Sequence, residues 1–263
     1  MSTLAGVLGF PVGHSRSPAM MNAAFAELGL DWRYLHLPVP PELFAETVRA
    51  LPASGYRGAN VTIPHKLAAH ELADELTEAA AAIGAVNTLS FEDGRVTGDN
   101  TDAGGLIDAL GDQHPASALV LGAGGAARAA VWALREAGAA VTVWNRTPER
   151  GRALADEFGV VSVDRPPDVE LLVNATSIGL ARDDSLDALP RVEAAIVVDL
   201  VYGSEPTELV RWAERRGARV IDGLEVLVRQ GARSFERWTG QMAPVDTMRR
   251  AASSPVSSTP ARS

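Results

Sequence analysis

Residues 117–138, "SALVLGAGGAARAAVWALREAG", constrain the fold of this chain more than any other stretch. An apolar run ends at Gly122. The chain then passes Ala123, Gly124 and Gly125 into an Ala-rich segment, Ala126 to Ala137, closed by Gly138. That order reads as a buried strand, a tight turn and a helix with a glycine stop. Gly122 to Ala127 fits G-x-G-x-x-A. Glycines at such a turn let a pyrophosphate approach the helix N-terminus, where free N–H groups point outward. Glycine-rich turns also serve plain packing, but a strand before and a helix after favour a dinucleotide site.

The alternation continues on both sides of this unit. "AVTVWN", "VELLVNA", "AIVVDLV" and "ARVIDG" are short continuous apolar runs bounded by turns, as suits parallel strands buried on both faces. Upstream, "LAGVLGF", "WRYLHLPV" and "GANVTI" read as strands. Helices are expected from Ser17–Pro18, over 42–50, 65–73 and 77–83, with Ser17 as a cap and Pro18 in the first turn. "AVNTLSF" and "RVTGDN" flank "EDG" as a hairpin.

The pattern predicts an α/β protein of two domains. The N-terminal one, residues 1–101, carries a mainly parallel sheet and binds substrate. Residues 102–236 form a Rossmann-like dinucleotide domain. Helices over about 237–252 return to the first domain, the last of them near Val245 to Arg250. The Ser/Pro-rich end, 253–263, is expected to be disordered.

Composition removes several function classes. The net charge is −9, giving a nucleic-acid surface no electrostatic support. The chain has no cysteine, and its five histidines include no i,i+4 pair, so no metal site is expected. No apolar stretch reaches membrane-spanning length and the first residues lack a basic start, so a cytoplasmic protein is the default expectation.

At the end of the strand after the glycine turn, an NAD enzyme usually carries an acid for the ribose 2′-hydroxyl. Here Asn145, Arg146 and Thr147 hold the place, with Arg150 one turn on. Arg146 is either a solvated loop charge or a guanidinium fork for a 2′-phosphate. Its position relative to the turn favours NADP.

The first half supplies polar side chains at loop ends. Ser15 and Ser17 follow the first strand. Asn60 and Thr62 alternate on the third, so they share a face. Asn87 and Thr88 lie in "GAVNT" and Asp102 in "GDNTDAGG". Ligands of open parallel sheets bind outside the carboxyl ends of strands. Single residues also have a plain reading: Ser17 and Thr101 as caps, Asn87 as a turn residue, Asp102 as a first-turn carboxylate. Lys66, at the exit of the third strand, is the one lysine among 24 basic residues. Coding bias can explain a lone lysine; so can chemistry, since arginine cannot release a proton at any useful pH.

Together, "GHSRSP", "NVTIPHK", "GAVNT", "GDNTDAGG", "GAGGAAR", "NRT", "NATSIGL", "DLVY" and "GLEVLVRQGARSFERWTG" resemble the shikimate dehydrogenases, in order and over nearly the whole chain. The resemblance implies NADPH-dependent reduction of 3-dehydroshikimate to shikimate in aromatic amino-acid biosynthesis. It implies Lys66 and Asp102 as the catalytic pair. Ser15 and Ser17 match groups holding the substrate carboxylate, and Asn60, Thr62, Asn87, Tyr202 and Gln230 match groups lining the ring. Gly122, Ala123, Gly124, Gly125, Ala126, Asn145, Arg146, Thr147, Arg150, Thr176, Leu200 and Gly223 match cofactor contacts, with Glu78 an acid sometimes found on that side.

Departures from the family pattern are Ser204, where proline is frequent, and Leu200 and Val226, where methionine is. They bear on cofactor packing, not on the chemistry. Ser17 rather than threonine favours shikimate over quinate. A metabolite-sensing relative without activity would not need both Lys66 and Asp102. A methylenetetrahydrofolate dehydrogenase shares the two-domain plan, but paired serines suit a small carboxylate better than a pterin. A small-molecule substrate is the expected partner, with the protein a monomer or homodimer.

Overall fold

The computed structural model describes residues 2–179, 186–203 and 205–254. Its first part runs β1 (Thr3–Gly9), α1 (Ser17–Glu27), β2 (Trp32–Pro38), α2 (Phe44–Ala50), β3 (Tyr56–Val61), α3 (Lys66–Leu72), β4 (Glu75–Leu76), α4 (Glu78–Ile83), β5 (Thr88–Glu92) and β6 (Arg95–Asp99). These strands form one sheet in the order β2-β1-β3-β5-β6-β4. It is mainly parallel, as expected, and the hairpin supplies the exception. β3 pairs antiparallel with β5, and β5 with β6, while the remaining pairs are parallel. Asp93 and Gly94 at the hairpin tip have φ of 49° and 75°, the left-handed pair that a tight two-residue turn demands.

The second part runs α5 (Thr101–Leu110), β7 (Ser117–Leu121), α6 (Gly125–Glu136), β8 (Ala140–Trp144), α7 (Pro148–Phe158), β9 (Val161–Ser162), β10 (Val169–Asn174), β11 (Ala194–Asp199), α8 (Glu208–Arg215) and β12 (Arg219–Ile221). All pairs in its sheet are parallel, in the order β12-β11-β10-β7-β8-β9. This is the doubly wound arrangement, with its topological switch between β7 and β10.

The continuous apolar runs are explained by burial on both faces. Ala118, Val120, Leu171, Val173, Ile196 and Val198 pack under α5, α6 and α7. The intervening Leu119, Leu121, Leu172 and Val197 pack under α8, against Leu209 and Ala213. Successive side chains of one strand point to opposite faces, so both sets must be apolar.

Helix starts differ in detail from the sequence reading. Ser17 does not cap α1; the Ser15 hydroxyl accepts from the Ser17 amide at 3.3 Å instead. Thr101 is the first residue of α5, and its cap is Asn100, whose side chain accepts from the Asp102 and Ala103 amides. At the other end, α10 (Val245–Ser253) extends helix past Arg250. The segment expected to be disordered thus loses its start to a helix, and 255–263 lie outside the described residues.

Helix α9 (Gly223–Thr239) joins the two parts. Its Val226 packs in the core of the second sheet, while Val228, Ala232 and Phe235 pack with Met20, Met21, Ala24 and Phe25 of α1. The return to the first sheet therefore begins well before residue 237, because a single helix serves both cores. α9 also lies directly on α5: a Cβ on Gly105 would stand 2.7 Å from the Gln230 backbone nitrogen and 2.8 Å from its Cα. Backbone cannot yield as a side-chain tip can. Gly105→Ala is expected to lower stability by about 1–3 kcal/mol, the scale of core overpacking, read as a shifted urea midpoint at constant slope.

Candidate active site

Lys66 opens α3 directly after the exit of β3, and Asp102 sits in the first turn of α5 directly after β6. Nζ of Lys66 donates to Oδ2 of Asp102 at 2.6 Å, with side-chain exposures of 13% and 19%. The pair is sheltered yet reachable. A carboxylate in the first turn of a helix also faces the positive end of the helix dipole.

A buried polar cluster fixes this pair from behind. Asn87, 2% exposed, donates from Nδ2 to Oδ1 of Asp102 at 2.8 Å and toward Oε1 of Gln230 at 3.2 Å. Its Oδ1 accepts from the Thr101 amide at 2.7 Å and from the Thr88 hydroxyl at 3.0 Å. Asn60 donates to the Asn87 carbonyl, Thr88 and Ser234, and accepts from the Tyr34 phenol at 2.7 Å. Thr88, Thr101 and Ser234 stand within 2.9–3.2 Å of one another. No buried side-chain nitrogen or oxygen among the described residues lacks a partner, as a dry polar network requires.

Ser15 and Ser17 are buried beside two phenols. Burial pushes the Tyr202 phenol up; hydrogen bonds from the Ser15 side chain and the Arg16 amide, and the Arg16 charge, act the other way. Burial likewise holds Tyr34 well above the ordinary range, with Tyr202 adding to the rise and the Ser17 hydroxyl opposing it. Both phenols therefore stay neutral and able to donate at physiological pH. Thr62 lies at the exit of β3, with its amide bonded to the Leu8 carbonyl at 2.8 Å.

The glycine turn comes to the same place from the second sheet. Gly122 has φ of 115°, and a Cβ there would meet the Ala175 carbonyl at 2.9 Å. A Cβ on Gly125 would meet the Lys66 Cβ at 2.9 Å, so the turn rests on the lysine's methylenes. α6 begins without any side-chain cap. Asn145 Nδ2 donates to the Thr147 carbonyl at 2.8 Å, and Arg146 and Arg150 are exposed without an ion pair among the described residues. Glu78, in contrast, is exposed at the start of α4 with no bond to the glycine turn.

On the far side of the turn, Thr176 donates from Oγ1 to Asn174 Oδ1 at 2.7 Å. Leu200 packs on the second core, and its carbonyl would lie 2.8 Å from a Cβ on Gly223. Of the departures noted above, Val226 is buried in that core, and Ser204 lies outside the described residues.

Residues 7–89 match the family description "Shikimate dehydrogenase substrate binding domain", residues 107–178 match "Shikimate / quinate 5-dehydrogenase", and residues 223–252 match "Shikimate 5'-dehydrogenase C-terminal domain". The shikimate dehydrogenase (NADP(+)) of Thermus thermophilus is 45% identical, over 94% of this chain and 96% of its own. The chain belongs to the shikimate dehydrogenase family. The shikimate dehydrogenase (NADP(+)) of Methanothermobacter thermautotrophicus is 42% identical, over 93% of this chain and 94% of its own. A crystal structure of shikimate 5-dehydrogenase from Thermus thermophilus, in complex with NADP(H) and shikimate, has a TM-score of 0.86 at 42% identity. The match covers 95% of this chain and 98% of that one.

Sequence reasoning did not single out Tyr34, Ser234, Asn174 or Asp199 for this shikimate dehydrogenase-like site. Ser234, Asn174 and Asp199 stand inside quoted motifs, "QGARSFERW", "NATSIGL" and "DLVY", and that is the available signal. Asp199 is fully buried. Burial raises its carboxyl above the ordinary range, opposed by hydrogen bonds from Thr207, the Val201 amide and Asn174.

Proposed function

We propose that this chain catalyses the reversible NADPH-dependent reduction of 3-dehydroshikimate to shikimate, a step of aromatic amino-acid biosynthesis. One observation carries the reading: the Lys66–Asp102 pair lies under the glycine turn, so a proton donor and a dinucleotide site meet at one point.

The residues present fit NADP. A Cβ on Gly124 would stand in open space at the turn, with no protein atom within 4 Å, α6 offers uncapped amides, and Arg146 and Arg150 have no ion-pair partner among the described residues. Gly122 to Ala126 would hold the pyrophosphate, Asn145 to Thr147 with Arg150 the 2′-phosphate, and Thr176, Leu200 and Gly223 the nicotinamide end. When bound, the cofactor supplies a hydride to the carbonyl carbon or takes it back.

Ser15 and Ser17 donate to the substrate carboxylate, and neutral Tyr202 beside them lines the ring. Thr62, Asn60, Asn87 and Gln230 line the ring. The Lys66 ammonium polarises the carbonyl oxygen and delivers the proton as negative charge develops there; in the oxidative direction its amine takes the proton from the hydroxyl. Asp102 holds the ammonium through Oδ2 while Asn87 holds Oδ1, so the donor points one way.

The working division is a substrate unit of residues 1–101 joined by the C-terminal helices, and a cofactor unit between. A cytoplasmic monomer or homodimer fits a chain in which no described helix is long and apolar enough to cross a membrane.

The test is an assay of purified protein with shikimate or quinate and NADP⁺ or NAD⁺. Turnover is expected chiefly with shikimate and NADP⁺; silence with all pairs would overturn the reading. Arg146→Ala is expected to raise KM for NADP⁺ by about tenfold or more while leaving KM for NAD⁺ nearly unchanged, since only the 2′-phosphate contact is lost.

A further inference from the structure

Two loops leave the carboxyl ends of neighbouring strands on the cofactor side. One follows β10 and carries Thr176; the other follows β11 and carries Leu200 and Tyr202. Their last strand residues, Asn174 and Asp199, are direct partners in the parallel register, and both are fully buried. Asp199 Oδ1 accepts from Asn174 Nδ2 at 2.9 Å and from the Val201 amide at 3.1 Å. Its Oδ2 accepts from the Thr207 hydroxyl at 2.5 Å, and that hydroxyl also caps α8. Asn174 completes the link: its Oδ1 accepts from the Thr176 amide and hydroxyl, and its Nδ2 also reaches the Ile178 carbonyl at 3.3 Å. An ionisable group this deep is retained against a desolvation cost that an apolar residue would avoid.

We propose that Asp199 is a positioning residue that ties the Thr176 loop to the Tyr202 loop, so that cofactor and substrate contacts are set together. The assignment of Thr176 and Tyr202 to those ligands rests on the proposed function. The tie itself rests on the hydrogen bonds above. Every donor reaching Asp199 points at a carboxylate oxygen, and an amide of the same shape keeps Oδ1 for Asn174 and Val201 while turning an N–H toward Thr207. A methyl group keeps none of these.

Asp199→Ala is expected to raise KM for both NADP⁺ and shikimate about tenfold, the scale of one lost hydrogen bond per loop, with kcat reduced less than KM is raised. Asp199→Asn is expected to restore both values to near the parent's. A merely structural role would lower the melting temperature of the alanine variant and leave KM of the folded protein unchanged. Amide hydrogen exchange reads the tie without turnover: in Asp199→Ala, exchange speeds at Thr176 and Ile178 as well as Val201. If the alanine variant does not fold, Thr207→Val decides, with faster exchange expected at Val201 while Ile178 stays protected. Unchanged exchange in these variants, or an asparagine variant as impaired as alanine, would overturn the proposal. An inactive parent with the expected exchange pattern would count against the proposed reaction alone.

Discussion

Lys66→Arg is expected to lower kcat by about a hundredfold or more, the usual contribution of a positioned general acid, while KM for both ligands stays within about threefold. The argument is one of protons rather than charge. Arginine keeps a cation beside Asp102, so the carbonyl can still be polarised. Its guanidinium stays protonated at any useful pH, so it is a poor acid while charge is only developing on the oxygen and has no neutral form to act as base in the oxidative direction. The substitution also meets a steric limit, because the Gly125 turn rests on the lysine's methylene stem and a planar guanidinium needs a wider exit. A second variant separates the two causes: Lys66→Met keeps the stem, loses the charge, and should fall at least as far. Stopped-flow turnover of folded protein, with circular dichroism confirming the fold, checks both. A Lys66→Arg variant within a few-fold of the parent would remove the proton-transfer role.

Asn87→Ala is expected to show the second large effect, on stability and rate together. The side chain serves the Thr101 amide, the Thr88 hydroxyl, Asp102 and Gln230 at once, at 2% exposure. Alanine leaves the Thr101 N–H buried without its partner, and each such orphan costs about 1–3 kcal/mol. With a second group unsatisfied, a loss of about 3 kcal/mol follows, or roughly 5–10 °C in Tm for a chain of this size. Asp102 also loses the donor that fixes Oδ1, so kcat should fall about tenfold even at temperatures where the variant is folded. Calorimetry and single-turnover kinetics on the same preparation test the two halves. A stable variant of normal rate would mean that water replaces the amide.

The parts of the fold legible in the sequence are those with local causes. The glycine turn shows itself because strand, turn and helix are contiguous, and Asp93–Gly94 because a hairpin tip needs left-handed residues. β4 and β9 span two residues each, too few for any periodicity to register. The α5 cap falls to Thr101 in the sequence and to Asn100 in the structure because both are good capping types, and only geometry separates neighbours. Lys66 and Asp102 are legible through the ordered family motifs, and the bond between them joins residues 36 apart in the chain. Ser234 is not, since a serine within a helix is ordinary until its partner Thr88, 146 residues away, is known. The same kind of separation hides Asn174 and Asp199 as a pair, 25 residues apart in sequence but side by side in the sheet.

The contact between Gly125 and the stem of Lys66 has a practical consequence, because no other side chain in the sequence carries a primary amine. Reductive methylation with isotope-labelled formaldehyde would place a single side-chain reporter group at the junction of the two sheets. Its resonance would register the carboxylate at 2.6 Å on one side and the arrival of a dinucleotide over the turn on the other. A composition poor in lysine thus leaves the chemistry of this site open to spectroscopy, without background from the rest of the molecule's side chains.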